Sequence, residues 1–179
     1  MATGASAEMT AVERAPAILL WFPGQAGSTG DGGIDLAPRA GRLLSGPGSS
    51  ILVLMIEDDP AIAEMYRVQL EHDGYRVAIA TTAEIGITTV TEKAPDIVLL
   101  DLLLPDRSGL EMLASLNEQL PNHPPVVILS NYGEPSMIDR GRSLGAVEYL
   151  VKSRVTPSEI SEHIPDWVEE GRRGGRSES

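Results

Sequence analysis

The chain has 179 residues, enough for one ordinary domain with a core of its own. It has no cysteine, which excludes a disulfide framework, thiolate metal sites and a thiol nucleophile. Its net charge of −12, with no evident basic patch, argues against direct binding to nucleic acid or to an anionic membrane.

The first 50 residues hold nine of the 18 glycines and four of the 13 prolines. No helix or strand pattern fits more than a few of them. Residues 1–49 therefore read as a flexible Gly/Pro-rich extension, or as the product of a start codon placed too far upstream. The longest early apolar run, Ala15 to Phe22, is interrupted by Pro16. It falls short of the roughly 20 apolar residues that span a bilayer. Glu8 and Glu13 precede it where a secretory signal would carry Lys or Arg. No signal peptide is read, and a cytoplasmic protein is expected.

From residue 50 the pattern becomes regular. Ile51–Ile56 is a continuous apolar run, as in a strand buried on both faces. Asp59-Pro60 follows, an N-cap acid and a proline at the first helical position. The helix runs to about His72, and Gly74 stops it. Tyr75–Ala80 reads as a second strand. Thr81 and Glu84 predict a capping box for a helix to about Lys93. Ile97–Leu100 is a third strand ending at Asp101. Ser108 and Glu111 predict another capping box, opening a helix to about Gln119. Val126–Leu129 is a fourth strand ending at Ser130. A weaker helix spans about Glu134–Leu144, stopped by Gly145. Val147–Val151 is a fifth strand, and Thr156-Pro157-Ser158-Glu159 caps a last helix to about Glu170. The remainder, 171–179, reads as a disordered tail.

Alternating strands and helices predict an α/β, doubly wound, five-stranded parallel sheet over residues 50–170. Ligands in such folds bind beyond the carboxyl ends of the strands. Those ends carry Glu57, Asp58 and Asp59, then Asp101, Ser130 and Lys152. Asp59 is assigned to capping. The others form a phosphoryl-transfer set: a carboxylate to attack phosphorus, acids to hold a divalent cation, and an ammonium and a hydroxyl to meet developing charge. Two carboxylates about 4 Å apart repel by about 4 kcal/mol at an effective dielectric near 20. Without a cation the cluster would hold a proton, and a protonated Asp101 is a poor nucleophile. Oxygen-only donors suit Mg²⁺, or Mn²⁺ in its place.

Four segments together carry a family resemblance. They are Ile56-Glu57-Asp58-Asp59-Pro60, Leu99-Leu100-Asp101-Leu102-Leu103-Leu104-Pro105 with Gly109, Ile128-Leu129-Ser130, and Gly145 through Lys152. Residues 51–170, about two-thirds of the chain, resemble the receiver domain of two-component response regulators. The resemblance implies a flavodoxin-like fold with strand order 2-1-3-4-5. It implies that Asp101 takes a phosphoryl group from a phosphohistidine on a sensor histidine kinase or phosphotransfer protein. Asp58 and Asp101 would ligate Mg²⁺, Glu57 would act near it through water, and the Leu103 backbone carbonyl would complete the protein ligands. Lys152 would pair with phosphoryl oxygens. Ser130 would shift to hydrogen-bond the group, and Tyr149 would turn inward behind it.

The sequence also departs from the family's habits. Ser153 follows Lys152 where proline is usual, so no cis peptide is expected there. Asn131 replaces the usual small residue and is expected to crowd the site. Leu103 and Tyr132 stand where the family tunes dephosphorylation. Their apolar bulk predicts a long-lived aspartyl phosphate. The expected function is a phosphorelay switch, not an enzyme beyond its own phosphorylation and slow dephosphorylation. It would signal to an unidentified output protein as a monomer or weak homodimer. No output domain is read after the last helix, so a stand-alone receiver or relay intermediate is expected. The alternatives are a receiver-like interaction module that is never phosphorylated, and a small-molecule enzyme or flavin binder. The second lacks a glycine loop after the first strand.

Overall fold

The computed structural model describes residues 51–174. The proposed extension, 1–49, and the last five residues of the tail lie outside the described residues. Five strands form one parallel sheet: β1 (Leu52–Ile56), β2 (Arg76–Ala80), β3 (Ile97–Asp101), β4 (Val126–Ser130) and β5 (Glu148–Val151). Their order is β2-β1-β3-β4-β5, as the resemblance implied. Five helices alternate with them: α1 (Pro60–His72), α2 (Ala83–Lys93), α3 (Gly109–Gln119), α4 (Pro135–Ser143) and α5 (Pro157–Gly174).

The central strands are apolar up to the last residue of β3 and β4 because both faces are covered. Leu54, Ile56, Val98, Leu100 and Ile128 pack on one face with Met112, Leu113 and Tyr149. Val53, Met55, Leu99, Val127 and Leu129 pack on the other with Tyr66, Leu70, Ile164 and Trp167. Alternation along each strand sends successive side chains to opposite cores.

Helix entries explain where the chain turns. Asp59 caps α1, its Oδ1 accepting from Ala61 N at 2.8 Å and Ile62 N at 3.1 Å. Ser108 and Glu111 form the expected reciprocal box at α3. The box expected from Thr81 and Glu84 is not the one formed. Thr82 caps α2, its hydroxyl accepting from Ile85 N at 3.2 Å. The remaining first-turn amides of α2 are met from a distance, by Asp106.

The last helix also differs from expectation. It continues to Gly174, four residues past the predicted end at Glu170. Gly171, which the sequence placed in the tail, makes room for the Pro125 ring: a Cβ there would lie 2.7 Å from the ring. Arg172 then pairs with Asp96 at 2.9 Å, tying the helix end to the foot of β3.

The tightest return is at Gly109. A Cβ there would fall inside contact distance of the Asp101 carbonyl oxygen and 2.9 Å from the Leu102 Cα. Both obstacles are backbone and cannot swing aside. Gly109→Ala is therefore expected to destabilise the fold by about 3 kcal/mol, at the upper end of overpacking costs. Urea denaturation checks this through the midpoint; an unchanged midpoint would show that the loop yields freely.

Candidate metal and phosphoryl-acceptor site

The strand register builds the site. Ile56 pairs with Leu100, so Glu57 and Asp101 extend side by side one residue further. Asp101 pairs with Leu129, which places Ser130 one step beyond it. Ser130 pairs with Val151, and Lys152 follows. Four residues from four strand ends thus converge on one edge, without a loop needing an unusual shape.

Glu57, Asp58 and Asp101 each offer a carboxylate oxygen, and these lie within 4.8 Å of one another. Asp58 is exposed, whereas Glu57 and Asp101 are buried. Lys152 lies between the buried pair, with Nζ 2.6 Å from Glu57 Oε2 and 3.0 Å from Asp101 Oδ2. Its side chain is only 8% exposed, so it is an internal counterion and not a solvated surface charge. Asp101 Oδ1 also accepts from Leu102 N at 2.7 Å.

Burial raises the Glu57 carboxyl above its ordinary range, against the opposing pull of the Lys152 ammonium. Burial works the other way on Lys152, but its bonds to Glu57 and Asp101 outweigh this and hold it charged. The ammonium therefore persists because both carboxylates face it. An all-oxygen set of three acids fits a hard divalent cation such as Mg²⁺.

Ser130 is fully buried, and its Oγ accepts from Tyr132 N at 3.0 Å. Tyr149 donates its hydroxyl to the Tyr132 carbonyl at 2.8 Å and is 6% exposed. The ring lies inward in this structure, the position the resemblance implied for the phosphorylated form. Gly141 of α4 leaves the space: a Cβ there would lie 3.1 Å from the ring and 2.7 Å from Ile128 Cδ1.

Asn131 is exposed, so the expected crowding does not take the form of a buried side chain. Leu103 and Tyr132 are 54% and 46% exposed and, with Leu104 and Met137, line an open groove of about 470 Å³. No cis peptide occurs among the described residues. Sequence reasoning missed two contributors, Asp106 and Gly141. Each acts on a residue far along the chain, and no local pattern marks such a role.

The model of the response regulator receiver domain matches residues 53–165. The chain belongs to that family. Among curated relatives, this receiver is 38% identical over 101 residues to the transcriptional regulatory protein KdpE of Mycobacterium tuberculosis. That match covers 56% of this chain and 44% of the relative. It is 30% identical over 105 residues to the probable transcriptional regulatory protein TcrX of the same species, covering 59% of this chain and 44% of the relative. The chain thus spans less than half the length of these two relatives. Among solved structures, a CheY-like receiver domain protein from Methanospirillum hungatei matches with a TM-score of 0.64 at 28% identity. That match covers 71% of this chain and all of the other. No helix among the described residues is long and apolar enough to cross a membrane.

The ion cluster makes this receiver sensitive to loss of its counterion. Lys152→Ala leaves Glu57 and Asp101 buried together without a cation. A loss of about 3 to 5 kcal/mol is expected, the range for removing one partner of a buried pair. Mg²⁺ should restore more stability to the variant than to the wild type, as read by urea denaturation with and without the ion. Equal gains would show that the two cations do not share the carboxylates.

Proposed function

We propose that this receiver is a phosphorylation-dependent switch whose phosphoacceptor is Asp101. The observation that carries the reading is the Lys152 ammonium lodged between Glu57 and Asp101. A buried lysine facing the acceptor supplies positive charge where phosphoryl oxygens would arrive. Asp58 and Asp101, with the Leu103 backbone carbonyl, would hold Mg²⁺, and Glu57 would act beside it through water. When bound, the ion would neutralise the carboxylates and phosphoryl oxygens together.

An Asp101 carboxylate oxygen attacks phosphorus of a phosphohistidine on a sensor kinase or phosphotransfer protein. The P–O bond forms as the P–N bond breaks, and the imidazole leaves with the electron pair and takes up a proton. Lys152 stays charged and follows the transferred oxygens. Ser130 gives up its bond from Tyr132 N and donates to the phosphoryl group. Tyr132 would then be released at its amide while its carbonyl still holds Tyr149. In this way a charge change at Asp101 reaches α4 and β5.

The protein acts through protein contacts and is regulatory, its chemistry limited to its own phosphorylation and slow dephosphorylation. It is expected in the cytoplasm, as a monomer or weak homodimer. The relatives above are named as transcriptional regulators. The output here is assigned to a protein partner, because a strongly acidic chain is poorly suited to contact DNA directly. Nothing in the cluster favours a module that is never phosphorylated.

The test is incubation with acetyl phosphate and Mg²⁺, followed by intact mass. One added phosphoryl group is expected, absent in Asp101→Asn. No gain from acetyl phosphate or a phosphohistidine donor would overturn the reading. A second expectation concerns lifetime. The apolar flank of Leu103 and Tyr132 hinders an attacking water, so the phosphoryl group should persist for many minutes. Radiolabel decay within seconds would contradict this, and Leu103→Asn with Tyr132→Ala should shorten the lifetime severalfold.

A further inference from the structure

The loop joining β3 to α3, residues 102–108, carries Leu103. Its start is held by Asp101, whose Oδ1 accepts from Leu102 N at 2.7 Å and from Leu103 N at 3.4 Å, and two ties fix its shape internally. Gly109 N donates to Leu102 O at 2.9 Å, and Leu103 bridges to Ser108. A third tie reaches another element. Asp106 Oδ1 accepts from Ala83 N at 2.9 Å, and its Oδ2 accepts from Glu84 N at 3.0 Å. Both amides belong to the first turn of α2, where helix donors lack internal partners. One carboxylate spans two adjacent donors at the positive end of the helix.

This acid stands five residues after Asp101, yet it is not one of the three carboxylates that gather at the candidate metal site. Burial disfavours its charge, but the backbone amides of Ala83, Glu84, Asp106 and Arg107 together outweigh that and hold its carboxyl below the usual range. Each of its oxygens accepts from an amide of α2, and α2 packs on β1 and β2. The loop is thereby moored to the sheet through a helix that is not its neighbour in sequence.

The mooring matters because a backbone ligand cannot correct its own position. A carboxylate ligand can adjust by rotating its side chain. The Leu103 carbonyl goes where the loop goes. We propose that Asp106 is a positioning residue for the divalent cation, holding the Leu103 carbonyl in register with Asp58 and Asp101 by anchoring the loop on α2. This rests on the reading that Leu103 supplies a backbone ligand.

Calorimetric titration of the full chain with Mg²⁺ tests it, without recourse to phosphorylation. Asp106→Ala should weaken Mg²⁺ binding by about tenfold, the lower end of effects from residues that orient ligands. Asp106→Asn keeps one acceptor oxygen and should fall between the two. Thr82→Ala removes the other cap of α2 without touching the loop. It should lower the melting temperature yet leave Mg²⁺ affinity within twofold. Wild-type affinity in Asp106→Ala, or equal weakening in Thr82→Ala, would overturn the proposal while leaving the metal site standing. Asp58→Asn separates the two readings. If the wild type fails to bind Mg²⁺, or if Asp58→Asn binds as tightly as wild type, the metal reading itself fails and the proposal falls with it.

Discussion

The arrangement depends on one ammonium. Lys152 Nζ lies 2.6 Å from Glu57 and 3.0 Å from Asp101 at an edge where both acids are buried. Parallel pairing of β1 and β3 forces these two side chains together, since the register that aligns Ile56 with Leu100 also aligns the residues after them. A second register, β4 with β5, delivers the lysine. Removing three charges from water is costly, and their mutual attraction offsets that cost only with good geometry. A buried ion cluster is thus a poor way to gain stability. Its use is chemical: it places a positive charge against the two buried carboxylates.

Much of the fold was legible because its signals are local or periodic. Each central strand is an apolar run, and each expected helix stop near Gly74 and Gly145 coincides with a positive φ, 93° and 86°. What failed was long-range. Thr81 and Glu84 have the spacing of a capping box, but Asp106 occupies the amides at that helix start, so the cap shifts to Thr82. Gly171 and Arg172 read as a tail until Pro125 and Asp96 are brought beneath them. The candidate site was legible as a set, because acids, hydroxyl and lysine stand at successive strand ends. Its geometry was not. Nothing in the residues around Lys152 distinguishes a solvated lysine from one 8% exposed between two acids.

The path away from the cluster has a definite chemistry. Ser130 Oγ holds the Tyr132 amide, and the Tyr132 carbonyl holds the Tyr149 hydroxyl. One residue of the β4–α4 loop therefore links a hydroxyl at the acceptor's edge to an aromatic ring under α4. That ring fits because Gly141 carries no Cβ, and Gly141 is the buried residue of a helix that otherwise lies largely at the surface. A helix with so small a buried face opens at low cost compared with α3 or α5. The Tyr132 amide is the link that Ser130 would release.

Residue 103 serves two demands through different atoms. Its side chain is 54% exposed and, with Tyr132, lines the open groove. Its backbone is the part assigned to the cation. On the proposed reading, the side chain could vary without altering the metal donor. That separation holds only if the backbone stays put when the side chain changes. Within the loop, the Leu103–Ser108 bridge sets the local shape, but a bridge inside a loop moves with the loop. Asp101 Oδ1 holds the start of the loop through the amides of Leu102 and Leu103, and the two bonds from Asp106 to the first turn of α2 add an anchor outside it. On the proposed reading, these bonds would let the side chain of residue 103 vary without moving its carbonyl.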